Sequence, residues 1–102
     1  MKECCRTYLD EQFGGDADVI NEIYGEYVSS MRVKLMEAET ALAGAAWMPL
    51  DRVAHTIKGN ALASGDRTMA DVAIALRSAA QLQDAAQATQ LIKRLKELSE
   101  QL

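Results

Sequence analysis

The sequence contains few residues that build covalent or metal cross-links: one histidine, His55, and two cysteines, Cys4 and Cys5. Adjacent cysteines rarely bond to each other, because the geometry of a disulfide is hard to meet across a single peptide. One histidine without a second cysteine pair also argues against a closed zinc site. We therefore interpret Cys4 and Cys5 as reduced thiols, and we expect this chain to bind no metal ion or other cofactor.

Long apolar runs and an excess of basic residues are also missing. No segment approaches the roughly 20 consecutive apolar residues that span a bilayer, and the amino-terminal residues lack the apolar core of a signal peptide. The formal net charge is −4, whereas nucleic acids and anionic membranes attract a basic protein surface. We expect a cytoplasmic protein that binds neither nucleic acid nor membrane.

Length and composition indicate a single domain over residues 1–102. Hydrophobic residues make up 49% and charged residues 25% of the chain, a composition that can build one core in a chain too short for two. There is no alternating strand pattern, repeat or low-complexity tract, and apolar residues recur with helical spacing almost throughout. Since this periodicity is only what the core of a helical bundle requires, we expect a monomer.

Five helices are predicted, over about residues 2–12, 16–43, 49–64, 66–82 and 85–101. Asp16, Asp66 and Asp84 are suited to cap three of them. Pro49, the only proline, fits the first turn of the third helix, where its missing N–H costs nothing. Short joints favour antiparallel neighbours. We predict an all-α, up-down antiparallel four-helix bundle with a short additional N-terminal helix across one end.

The segment AHTIKGNALASG, residues 54–65, holds the histidine and an interior glycine, Gly59. With Leu50 at zero on a helical wheel, the apolar residues of this helix cluster within roughly 60° of it. His55 lies at about 140°, Lys58 at about 80° and Gly59 at about 180°. The imidazole is therefore predicted to face solvent, with an ammonium group and an empty side-chain position one turn away.

An interior glycine costs a helix about 1 kcal/mol relative to alanine, and at Gly59 it gives a bulky partner access to the imidazole. An exposed imidazole is largely neutral and nucleophilic at pH 7, and Lys58 is placed to stabilise a phosphoryl group on it. Asp51, the only nearby carboxylate, makes a poor Mg²⁺ site alone, so a partner must supply the metal. Leu62, at about 120° on the wheel, either belongs to a docking patch or lies under the first helix.

The run from His55 to Gly59, followed by Gly65 ten residues after the histidine, resembles the signature of histidine phosphotransfer (HPt) domains. Small or apolar residues stand where that pattern places them: Ala54, Ile57, Ala61, Ala63, Met69 and Leu76. The resemblance covers about residues 8–80, and the last helix agrees in length and pattern only. Two residues depart from the pattern: Asn60, where a small residue is more usual, and Arg77, where many members have an acidic one.

The resemblance implies that His55 takes a phosphoryl group from the aspartate of one receiver domain and gives it to another. Such receivers belong to response regulators or hybrid sensor kinases. Lys58 would stabilise the phosphohistidine, and Gly59, Asp51 and Leu62 are the candidates for receiver docking, with Gly59 leaving room for the receiver's active-site loops. Mg²⁺ would belong to the receiver. The chain has no glycine-rich ATP motif, so it would not phosphorylate itself, and both a free-standing carrier and a domain of a hybrid kinase fit.

Two other functions stay open on the sequence. A lone histidine in a helix is usually an ordinary surface residue, so the chain could be a helical module that docks a receiver or a sensor kinase without being phosphorylated. A small helical enzyme is less favoured, because His55 has no second titratable partner at a suitable spacing.

Overall fold

A computed structural model describes all 102 residues as five α-helices without strands. The helices are α1 (Glu3–Phe13), α2 (Ala17–Ala43), α3 (Trp47–Ala63), α4 (Arg67–Gln81) and α5 (Ala85–Ser99). Joints of only three residues, 44–46, 64–66 and 82–84, connect the last four helices, so consecutive helices run antiparallel. Each of these four packs against two of the others, and α1 packs on α2. The predicted all-α four-helix bundle with an additional N-terminal helix is confirmed.

The helix termini follow local capping chemistry. Asp16, Asp66 and Asp84 each accept a hydrogen bond from the backbone N–H of the third residue in the helix that follows. The third helix begins at Trp47, two residues earlier than predicted. Pro49 is therefore its third residue, still within the first turn, where no helical partner for an N–H is lost.

The core consists of one apolar stripe from each helix, joined in a single cluster of 23 buried residues. On α3 the fully buried residues Leu50, Ala54, Ile57 and Ala61 all lie on the stripe that the helical wheel predicts, whereas Val53 on the same stripe is half-buried. The buried face of α4 is mostly alanine, and small side chains let neighbouring helices approach closely. Of all the helix pairs, α3 and α4 pack together most extensively. The rotation of α3 about its axis is thereby fixed, and with it the direction in which His55 points.

The joint between α3 and α4 is where α1 is fastened to the end of the bundle. Asp66 is fully buried, and Lys2 Nζ lies 3.0 Å from both of its carboxylate oxygens. Tyr27 donates a hydrogen bond of 2.9 Å to the same carboxylate. Gly65 has φ of +76°, and a Cβ at this position would lie 2.6 Å from Cγ of Tyr8. Only glycine satisfies both the backbone conformation and the close approach of α1.

No helix in the chain combines the length and the apolar character needed to cross a bilayer.

Candidate functional site

His55 is the central residue of α3, eight residues from either end. Its neighbours Ala54 and Ile57 are fully buried, whereas the histidine itself is exposed. The ring forms no hydrogen bond or ion pair with another side chain, so both ring nitrogens are free of intramolecular partners. An imidazole in this setting can act as a nucleophile toward a group that approaches from solvent.

The space beside the imidazole at position 59 is open. A Cβ built on Gly59 meets no atom within 4 Å, and the backbone there is not in the left-handed region. Neither packing nor conformation therefore requires glycine, although its presence costs helix stability. The surface of α3 beside the imidazole is therefore open at position 59.

Lys58 supplies a cation on the same face of α3. It is half-buried and forms no ion pair, in contrast to Lys2, Lys34 and Lys96, which each pair with a carboxylate. Because its ammonium group forms no ion pair, Lys58 can bind an anion that approaches this face of α3.

Asp51 lies one turn before His55, and its carboxylate is engaged with α4. Arg77 Nε lies 2.9 Å from Asp51 Oδ1, and Gln81 Nε2 donates a hydrogen bond of 3.3 Å to the same oxygen. No three histidine, cysteine or acidic side chains cluster in a way that could hold a metal ion. The sequence marks Arg77 as a departure from the family pattern. It does not show that Asp51 is the partner of Arg77, because that pairing depends on how α3 and α4 align.

Asn60 and Leu62 lie on different sides of α3. Asn60 Nδ2 donates a hydrogen bond of 2.8 Å to Ser30 Oγ on α2, so the second departure from the family pattern gains an interhelical contact. Leu62 is 39% exposed and is not covered by α1. Of its two alternatives, burial under the first helix is therefore not observed. Ile74 on α4, which the sequence analysis did not single out, is similarly exposed at 41%.

The groups with clearly shifted pKa values belong to the α1 network rather than to this face of α3. Burial raises the pKa of the Cys5 thiol to about 12, and the neighbouring Cys4 and Asp66 add to the effect. Burial also raises the pKa of Tyr27, and the Asp66 carboxylate reinforces that shift. Both groups stay neutral at physiological pH.

A family model described as the Hpt domain matches residues 22–102. The chain belongs to the Hpt domain family. The match includes α5, for which the sequence alone offered only length and pattern, and it begins after α1. Comparisons with curated proteins and with solved structures give no match. As an Hpt domain, the chain is assigned to histidine phosphotransfer in two-component phosphorelays. Hpt domains are phosphocarriers that interact with receiver domains.

Proposed function

We propose that this Hpt domain carries a phosphoryl group on His55, which it accepts from the phospho-aspartate of one receiver domain and passes to the aspartate of another. The observation that carries the proposal is the exposed imidazole at the centre of α3 with open space at Gly59. His55 is the only histidine in the chain, so no other residue competes for the role.

In the proposed step, an imidazole nitrogen attacks phosphorus as the acyl phosphate O–P bond breaks. The receiver's aspartate leaves as a carboxylate, and the proton on the other ring nitrogen stays in place. In-line attack requires that the donor approach along the axis of the new N–P bond, which Gly59 permits. Lys58 offsets the charge of the phosphoryl group with a charge-assisted hydrogen bond. Mg²⁺ is assigned to the receiver, and the chain takes no phosphate from ATP.

The docking surface is proposed to surround His55 on the outer face of α3. Leu62 offers exposed apolar area there, Gly59 admits the receiver's active-site loops, and Asp51 contributes a polar edge in its pair with Arg77. The partners are receiver domains of response regulators or hybrid sensor kinases. We propose that the carrier binds them as a monomer, because a receiver needs this face of the bundle free.

The test is transfer of labelled phosphate from phosphorylated receiver domains to the purified chain. Acid-labile label on the parent protein and none on His55→Gln is the expected result, and incubation with ATP alone should give no label. Label that persists in His55→Gln would place the acceptor elsewhere. Binding to several receivers without any transfer would favour the alternative function, a docking module that is not phosphorylated.

A further inference from the structure

The outer face of α2 carries an uncharged stripe in addition to the apolar one that is buried in the core. This outer stripe consists of four residues at intervals of four, three and four positions: Ser29, Val33, Met36 and Thr40. On a helical wheel all four lie within about 40° of the direction opposite the buried Met31. Val33 is 52% and Met36 is 70% exposed. Because the solvent-facing side of a surface helix normally carries charged and polar residues, this apolar centre indicates a contact that a single chain does not make.

The outer stripe has the spacing of a coiled-coil contact, in which the residues that face a second helix recur every 3.5 residues on average. In such a contact, each side chain of one helix enters a hole formed by four residues of the other. A shallow groove of about 670 Å³ lies beside the stripe. On α2 its walls include four residues at i, i+3, i+4 and i+7, the spacing of such a hole: Val33, Met36, Glu37 and Thr40. The surface of α2 therefore has both the stripe and the hole that a second helix requires.

The charges beside the outer stripe complement those of a second, antiparallel copy of α2. When Val33 of one copy is level with Met36 of the other, each Val33 faces the hole around the other copy's Met36. Arg32 of one copy then lies two residues, or about 3 Å along the axis, from the level of Glu39 of the other, on the same flank. Arg32 forms no ion pair within its own chain, and the existing pair of Glu39 with Lys96 is exposed. A two-fold axis repeats the contact, so two ion pairs join the copies.

We propose that two copies of this chain associate through the outer stripes of their α2 helices, antiparallel about a two-fold axis. Each groove is then filled by Val33 of the other copy. The contact involves one helix from each chain and exposed ion pairs, so the association is weak and depends on the concentration of the chain. His55 lies on α3, outside the outer stripe, so the inference does not depend on its phosphorylation. The dissociated monomer stays the form that is proposed to bind receivers.

The test is sedimentation equilibrium of the full chain at concentrations up to about 1 mM, which populate weak complexes. The parent chain is expected to approach the mass of a dimer as its concentration rises. Met36→Lys should remain monomeric, because the change places an ammonium group from each copy in the contact. Since Met36 is exposed, this variant should fold normally. Met48→Lys is the matched control: Met48 is 67% exposed on α3, and its replacement should leave the association unchanged.

Charge reversal tests the antiparallel alignment. Arg32→Glu replaces two attractive contacts with Glu39 by two repulsive ones and should raise the dissociation constant of the dimer about tenfold. Adding Glu39→Arg to the same chain restores both ion pairs in the opposite sense, so the double variant should associate like the parent. Arg67→Glu makes the same charge change on α4, outside the outer stripe, and should leave the dissociation constant unchanged.

Three outcomes would overturn the inference: a parent chain that stays monomeric up to about 1 mM, association of Met36→Lys as strong as that of the parent, or failure of Glu39→Arg to restore association in Arg32→Glu. Thermal unfolding of each variant confirms that it is folded. Sedimentation needs no phosphate donor, so a chain that associates but accepts no phosphoryl group would contradict the proposed function alone. A chain that accepts the phosphoryl group but never associates would contradict only the dimer.

Discussion

Lys2 Nζ lies 3.0 Å from both carboxylate oxygens of Asp66, although the two residues are 64 positions apart and the carboxylate is fully buried. The ion pair ties the first turn of the chain to the joint between α3 and α4. Tyr27 and the backbone N–H of Met69 satisfy the same carboxylate. Removing the cation would leave a buried charge with neutral donors only, which is among the more destabilising changes a small domain can undergo.

We therefore expect Lys2→Met to lower the free energy of unfolding by about 3 kcal/mol. Adding Asp66→Asn should recover part of the loss, because asparagine has no charge to bury and still caps α4. Lys34→Met is the matched control: it breaks an exposed pair with Glu37 and should cost less than about 0.5 kcal/mol. Urea unfolding measures all four proteins. Equal losses in Lys2→Met and Lys34→Met would show that α1 is not held by this ion pair.

The buried thiol of Cys5, at the same end of the bundle, makes the stability of the fold depend on pH. Its pKa is raised to about 12 in the folded chain, compared with 9.0 for the free group, chiefly by burial. The folded state holds the thiol proton to a higher pH than the unfolded state does. The stabilisation that the neutral, buried thiol provides is therefore complete below about pH 9 and is lost as the pH rises toward 12. At pH 10 the parent should have lost about 1 kcal/mol through Cys5.

Cys5→Ala tests this sign. The variant is less stable than the parent at pH 7, because a buried sulfur is removed, but it lacks the thiol that must ionise when the chain unfolds at pH 10. The difference between the two proteins in urea midpoint should therefore shrink between pH 7 and pH 10. A difference that stays constant would mean that the thiol titrates alike in both states. Cys4→Ala, at the exposed neighbouring position, keeps the buried Cys5 thiol and should still lose stability between pH 7 and pH 10.

The bundle and the direction of His55 could be predicted because both depend on local pattern. The period of the apolar residues defines the buried stripe of α3, and the angle from that stripe to His55 follows from the geometry of one helix. The aspartate caps are equally local, since each side chain bonds to a backbone N–H three residues away. The early start of α3 was missed because Ala46, its N-cap, forms no side-chain hydrogen bond and leaves no mark in the sequence.

The contacts between helices could not be predicted in the same way. The pair of Asp51 with Arg77 depends on the axial alignment of α3 and α4, which is set by the joint at 64–66 and by packing along the whole interface. The buried partner of Lys2 depends on where α1 comes to rest. Asp66 was predicted as a helix cap alone, and nothing near it in the sequence indicates that its carboxylate also holds α1.

Lys58 should affect the phosphorylated state and not the fold. Because Lys58 forms no ion pair, Lys58→Ala should change the free energy of unfolding by less than about 0.5 kcal/mol. Loss of its charge-assisted hydrogen bond should shorten the phosphohistidine half-life about fivefold. Lys93→Ala removes an exposed charge from α5 and should leave that half-life unchanged. If Lys58→Ala strongly destabilises the chain and leaves the half-life intact, the lysine has a structural role instead.

Gly59 and Gly25 make the sharpest comparison, because both lie inside helices and a Cβ built at either meets nothing within 4 Å. Replacement by alanine should raise the free energy of unfolding by about 1 kcal/mol at both positions, through helix propensity and the lower entropy of the unfolded chain. Only Gly59→Ala places a methyl group beside the imidazole, so only this variant should slow transfer from a phosphorylated receiver. Chemical denaturation and the rate of label transfer measure the two effects separately. If both variants are more stable and transfer at the parent rate, glycine at position 59 does not serve access. The proposal that a receiver approaches over that part of α3 would then be wrong.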